Sequence, residues 1–336
     1  MGLKELCEAR GTPGREELVR AMVKEALPQG VEQVSTDAVG NLYAARGLKK
    51  PGPRVLLLAH LDEVGLMVVG HTDEGYLRIR PAGGVDAAIL PGKPVRVGRD
   101  GKEGTIGIAP AHLSGKDRKV PIGYEGLFVD IGMHGREAAR TAAPVGEMIT
   151  FDTPYTESWD GHAAIAKAFD DRVGVHLCLR ALEHETDFPL HVAFTVQEEV
   201  GLRGARVAGR RIRPDVALVL EATAAGDTPE TPPGVVRTRL GEGPALTVID
   251  RSTIPDGPLM QSLVRAGELS HAPWQWRRSV GGGNDAAALW PESVRVGAMS
   301  LPCRYLHSPA SLMSLDDLSA AERLLGAWLQ SLREVL

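Results

Sequence analysis

Aromatic side chains are scarce in this 336-residue sequence, where Phe, Tyr and Trp together make up 4%. So small a set offers few stacking platforms for sugar rings, which argues against a carbohydrate-processing cleft. Cysteine is rarer still: Cys7, Cys178 and Cys303 stand far apart, without CxxC spacing. An odd, scattered set argues against a disulfide framework and fits a reducing compartment. The formal net charge is -5 and no long basic block occurs, so neither nucleic acid nor an anionic membrane is an expected partner. No window approaches 18 uninterrupted apolar residues, so no membrane-spanning segment is expected. The first residues, MGLKELCEARG, lack the apolar core of a signal peptide, and Leu6 stands where a myristoylation signal needs Ser or Thr. The expectation is a cytoplasmic globular protein of one large domain or two ordinary ones.

Against these absences, apolar residues are concentrated in short blocks. VLLLAH at residues 55–60, HVAFTVQEEV at 191–200, VALVLEAT at 216–223 and VRVGAMSL at 294–301 read as strands buried on both faces. Helical patterns alternate with them. In REELVRAMVKEAL, Leu18, Met22, Val23 and Leu27 form one stripe; AIAKAFDDRVGVHLCLRALEH reads as a helix or helix pair; PDGPLMQSLVRAGEL also looks helical. The terminal segment 315–336 places Leu318, Leu325, Trp328, Leu329 and Leu332 on a buried face, with Ser314 and Asp317 as a capping pair. Between about Val69 and Asp152 the texture changes to glycine-rich turns around short β runs, YLRIRP, PVRVG, GTIGIA and GLFVDIG. The expected architecture is an α/β sheet domain, residues 1–68 and 153–336, interrupted by a small inserted β-barrel domain, residues 69–152.

Acids and imidazoles recur where the apolar blocks end. His60 and Asp62 close VLLLAHLD, Asp170 and Asp171 sit in AFDDRVG, Glu198 and Glu199 follow AFTVQ, Glu221 ends VALVLE, and His307 lies just past VRVGAMSL. Each alone has an ordinary structural use, as a capping charge, a turn residue or a core histidine. Together they make the donor set of a two-metal hydrolytic site, because imidazole nitrogen and carboxylate oxygen suit zinc or cobalt and leave room for water. With Asp170 as bridge, one ion would take His60 and Glu221 and the other Glu199 and His307. Adjacent strand residues point apart, so of Glu198 and Glu199 one would ligate while the other serves as general base. Asp62 would orient the His60 ring.

The ordered motifs AHLDEVGLMV, AFDDRVG, VQEEVGLRGA, LEATAAGDTP and RYLHSP, with GTIGIAPAHL, GLFVDIG and GGGNDAAAL, resemble the tetrahedral metallo-aminopeptidase family over nearly the whole chain. That family includes glutamyl, leucyl, lysyl and deblocking aminopeptidases, some once labelled endoglucanases. The resemblance implies a two-metal aminopeptidase acting on peptides, with zinc or cobalt, or manganese, held by His60, Asp170, Glu199, Glu221 and His307. It implies Glu198 as general base, Asp62 as the acid behind His60, and an inserted domain that helps build dimers and then dodecamers. Two positions depart from the family pattern. Glu221 stands where Asp is usual, which keeps open an N-acyl amino acid deacylase or amidase on the same site. Asn284 stands where Thr is usual before Asp285, which bears on local support of the site. A metal-binding scaffold without turnover is disfavoured by the extra carboxylate of Glu198.

Overall fold

The computed structural model describes residues 1–110, 123–278 and 281–332. Four parallel strands form the centre of the larger sheet, in the order Leu190–Thr195, Val55–His60, Val216–Ala224 and Arg295–Arg304. Alternation along Val55–His60 sends Val55, Leu57 and Ala59 into one apolar core and Leu56 and Leu58 into another. The first core is covered by the helices Phe169–Ala181, Gly257–Leu269 and Leu315–Ser331 and by the N-terminal helices. The second packs under Arg203–Ile212 and Ala286–Leu289. A strand covered on both sides has no polar face, which is why VLLLAH reads as an unbroken apolar run. Each leucine so buried contributes about 1.5–3 kcal/mol.

Antiparallel strands extend this sheet at both edges. On one side lie Leu42–Arg46 and Gln33–Thr36; on the other, Ser311–Ser314, Ala163–Ala166 and Thr156–Glu157. A branch adds Ala245–Ile249 antiparallel to Arg295–Arg304, and Gln275–Arg278 parallel to Ala245–Ile249. The chain leaves the sheet after His60 and builds a closed six-stranded barrel. Its strands run in the order Gly65–His71, Leu77–Ala82, Leu127–Asp130, Lys102–Ile108, Pro94–Val97 and Met148–Phe151. Val68, Leu77, Ile79, Val97, Ile106, Val129 and Phe151 fill its interior.

Ser314 accepts a hydrogen bond from the Asp317 N–H at 3.2 Å and caps the last helix, whose expected stripe is buried. Three local expectations fail. Ala163–Ala166 is a strand, and the helix starts only at Phe169; four small or apolar residues in a row carry no period that separates the two. The strand through HVAFT stops at Thr195, because Gln197 adopts φ 57° and turns the chain before Glu198 and Glu199. The first long helix, Glu17–Glu25, buries Val19 with Val23 and leaves Leu18 and Met22 half-buried. Residues 111–113 of GTIGIAPAHL and 333–336 of the terminal segment lie outside the described residues. Among the described residues, no helix is long and apolar enough to cross a membrane.

Candidate metal centre

His60 ends a central parallel strand, and its imidazole emerges at the carboxyl end of the sheet, where open α/β sheets form their ligand crevices. The ring is buried and held on both nitrogens. Nδ1 lies 3.0 Å from the Asp62 backbone carbonyl and 3.6 Å from Asp62 Oδ1. A carbonyl can only accept, so Nδ1 carries a proton and Nε2 is the nitrogen turned towards the acids. Nε2 in turn lies 3.0 Å from Asp170 Oδ1, 3.5 Å from Glu221 Oε1 and 4.0 Å from Glu198 Oε2.

Asp170 and Asp171 open the helix Phe169–Ala181 with non-helical backbone angles and a cis peptide bond between them. Their side chains do different things. Asp170 turns its other oxygen, Oδ2, to His307 Nε2 at 3.2 Å, so one carboxylate faces two imidazoles. Asp171 is fully buried and accepts the backbone N–H of His60 at 3.0 Å and of Gly174 at 3.1 Å. It thereby ties the His60 strand end to the helix start.

Glu198 and Glu199 are carried on a turn between Leu190–Thr195 and Arg203–Ile212, not on the strand, so strand alternation does not separate them. The Asp62 carboxylate orders this turn: its two oxygens accept the N–H groups of Glu198 and Glu199, each at 3.1 Å. Asp62 therefore touches both the histidine and the acidic turn. Glu199 Oε1 is buried without a hydrogen-bond partner, 3.5 Å from His307 Nε2. Glu221 lies within its strand, opposite Ser300 of the neighbouring strand.

All five expected ligands thus meet in one place. Three overlapping groups have donor atoms close enough to share an ion: His60 with Asp171 and Glu221, Asp170 with Glu199 and His307, and His60 with Glu198 and Glu199. The electrostatics express the same crowding. Burial, with Asp170 beside it, pushes the Glu199 carboxyl up to about 7, and burial against its His60 contact pushes Glu221 to about 8. Burial also raises Glu198 well above the usual carboxylate range, opposed by His60 and reinforced by Glu221 and Asp285. Burial opposes charge on the imidazoles too, yet Glu221, Asp170 and Asp62 hold His60 well above its ordinary value, and Asp170 holds His307 at about 9. An orphaned buried carboxylate oxygen and mutually repelling acids facing two imidazoles are what a cation would relieve. The residues present fit a divalent metal.

Three contributors went unassigned in the sequence reading. Asp171 looks like a solvated helix-start charge until its partner, His60, arrives from 111 positions away. Asp285 is buried, accepts Thr195 Oγ1 at 2.7 Å, and has an unpartnered Oδ1; burial raises it to about 6. Asn284 beside it accepts the Ala286 N–H at 2.9 Å, a local backbone role. Arg277 lies in a cleft of about 270 Å³ whose walls include Asp170, Glu198, Glu221, Thr223 and His307. Its Nε donates to Thr223 Oγ1 at 2.9 Å and one terminal nitrogen to the Gly281 carbonyl at 2.7 Å, while the other terminal nitrogen is buried without a hydrogen bond.

A family model described as M42 glutamyl aminopeptidase matches residues 40–324. A putative aminopeptidase of Acetivibrio thermocellus is 33% identical over 96% of both chains. The crystal structure of the TET aminopeptidase from Thaumarchaeota archaeon SCGC AB-539-E09 superposes with a TM-score of 0.93 at 34% identity, covering 98% of this chain and 95% of that one. The Pyrococcus horikoshii TET1 peptidase, which can assemble into a tetrahedron or a large octahedral shell, gives 0.87 at 32% identity over 98% of each chain. The likeness therefore extends over nearly the whole of each chain, in sequence and in fold. The chain belongs to the M42 glutamyl aminopeptidase family of metal-dependent peptidases, and is a peptide-bond hydrolase.

Proposed function

We propose that the chain is a two-metal aminopeptidase that removes residues from the N-termini of peptides. The observation that carries this reading is Asp170, whose two oxygens face two different imidazoles at 3.0 and 3.2 Å. A carboxylate so placed suits a bridge between two divalent ions, zinc, cobalt or manganese, one held with His60 and Glu221 and the other with Glu199 and His307. When bound, such ions supply Lewis acidity at the scissile carbonyl and lower the pKa of a water molecule. Glu198 handles the proton: it lines the cleft, and among the described residues its carboxylate accepts no hydrogen bond, so it is placed to take a proton from the attacking water. As the C–N bond breaks, Glu198 gives that proton to the leaving amine. Asp62 keeps the geometry by holding the Glu198–Glu199 turn and the protonated side of His60.

Arg277 favours an acidic N-terminal residue. A buried guanidinium nitrogen without a partner is costly, and a Glu or Asp side chain entering the cleft would satisfy it as a charge-assisted pair. A lysine there would meet like charge. A homo-oligomer, dimers building to a dodecamer, is our reading of its assembly; the tetrahedral or octahedral shells of Pyrococcus horikoshii TET1 and the PhTET1-12s dodecamer support the homo-oligomer. The three cysteines are free and buried, as suits a reducing cytoplasm.

The test is mass spectrometry of one peptide, offered with a free amine and N-acetylated, after incubation with metal-loaded enzyme. Stepwise loss of residues from the free form alone is expected, faster from a Glu than from a Lys terminus. Removal of the acetyl group, or of the blocked residue, would contradict the aminopeptidase reading and favour the deacylase that Glu221 keeps open.

A further inference from the structure

The reaction cleft does not end at Arg277. Arg237, which lines it, also lines a second concavity of about 290 Å³ whose other walls include Arg239, Arg278, Trp276 and Glu242. Three arginines thus face one glutamate in a cleft that adjoins the metal centre. Arg237 and Arg278 have no carboxylate within 4 Å among the described residues, and Arg239 has only Glu242, at 3.9 Å. Exposed arginines usually mark a solvated face, but these sit on braced backbone. Gln275 Oε1 accepts the Arg239 N–H at 2.9 Å, and its amide nitrogen donates to the carbonyls of Arg239 and Gly243, both at 2.8 Å. Asp317 accepts the N–H groups of Gly241 and Gly243, and Thr238 Oγ1 donates to the Ala224 carbonyl. The loop bearing Arg237 and Arg239 is therefore clamped to the strand bearing Arg278. Trp276, stacked edge-on against Trp274, adds an apolar wall. Preorganised cations cost less ordering on binding than free ones.

We infer that this second cleft is a subsite for a carboxylate carried by the substrate downstream of the cleaved bond, so that short acidic peptides are the preferred substrates. The inference rests on the aminopeptidase reading. Arg277 is buried at the inner end of the run, beside Thr223 of the Glu221 strand, while Arg237, Arg239 and Arg278 are exposed beyond it. A peptide whose N-terminal residue occupies the inner end extends outward over them. Two sources of carboxylate fit, an Asp or Glu side chain and the chain's own C-terminus.

The test compares kcat/KM on peptides of equal length and identical first two residues, carrying Asp or Asn at later positions, each with a free or an amidated C-terminus. Wild-type enzyme is set against the R239Q/R278Q double variant, with thermal unfolding checked for both. The expected result is a gain of about five- to tenfold for downstream carboxylate, carried by KM and shrinking in high salt, and collapsing towards unity in the double variant. Loss of the gain on amidation alone would assign the subsite to the C-terminal carboxylate; its survival on amidation would assign it to the side chain. Equal kcat/KM for all four peptides, Asp or Asn with a free or an amidated terminus, would overturn the subsite, as would a gain that the double variant retains. No cleavage of any of these free-amine peptides, acidic ones included, by metal-loaded wild type would instead overturn the aminopeptidase reading on which the subsite depends.

Discussion

The large sheet and the barrel bury comparable kinds of apolar side chain, yet only one of them gathers chemistry. Central strands of the sheet run parallel, so His60, the Glu198–Glu199 turn, Glu221 and the His307 loop all lie towards the same, carboxyl end of neighbouring strands. Parallel topology brings these groups to one crevice, and Asp170 joins them from the start of the helix Phe169–Ala181. The barrel strands are antiparallel, so their ends alternate in direction and no such convergence arises. Its contribution to the site is backbone. At Gly83, with φ 95°, an added Cβ would meet the Glu199 Cβ at 3.3 Å, and one at Gly84 would meet His307 Nδ1 at 3.4 Å. The barrel lays a side-chain-free loop against Glu199 and His307, two of the proposed ligands.

The interiors differ as well. Behind the candidate metal centre the sheet half encloses charges: Lys167 Nζ lies 2.7 Å from both Glu63 oxygens and an Arg172 terminal nitrogen 3.4 Å from one of them, with all three residues buried. Lys167 and Arg172 also donate to the carbonyls of Ala9 and Leu6, which fastens the N-terminal helix beneath the site. The barrel interior is mainly apolar, with His71 and Thr150 among its buried polar side chains.

Substitutions that strike the sheet half should therefore do most harm. Glu198→Gln should lower kcat by about 10³-fold or more while bound metal, counted by plasma mass spectrometry, stays at the wild-type level. Loss of metal in that variant would move Glu198 from base to ligand. Glu63→Ala should cost about 3–5 kcal/mol in urea unfolding, because it leaves two buried cations without their anion. A cost below about 1 kcal/mol would mean that water reaches them.

A smaller, pH-dependent effect is expected at Glu16, which burial, with the Asp62 charge beside it, raises to about 7 from 4.5. Folded protein then holds a proton that the unfolded chain has released, so stability falls as pH rises from about 4.5 to 7, by on the order of 3 kcal/mol. Glu16→Gln should flatten that slope; an unchanged slope would place the titration elsewhere. Least affected should be the barrel rim. Arg136 and Asp73 pair at 2.8 Å with both side chains largely exposed, so Asp73→Asn should cost under about 1 kcal/mol and leave peptide turnover alone.

The same contrast governs what could be read from sequence. VLLLAH and VALVLEAT are legible because strands covered on two faces must be apolar throughout, and the polar residues that break them mark strand ends. The barrel runs are legible through alternation, as in Leu77–Ala82, where Leu77 and Ile79 point inward. Ala163–Ala166, near the sheet edge, carries neither signal. Arg277, Asp171 and Asp285 are polar residues whose burial depends on strands far away in sequence, so local pattern makes them look like surface charges. Glu198 and Glu199 were visible as a pair, but their separate placement came from a turn, and from Asp62 gripping it, rather than from strand geometry.

The central claim is that Asp170 bridges two metal ions on which hydrolysis depends. It is tested most directly by measuring metal per chain alongside peptide turnover, in wild type and Asp170→Asn, before and after chelation. Two divalent ions per wild-type chain, activity lost on chelation and restored by zinc, cobalt or manganese, and loss of both metal and activity in Asp170→Asn are the predicted results. Full turnover by the metal-free protein, or an Asp170→Asn variant that keeps two ions and normal activity, would contradict the account.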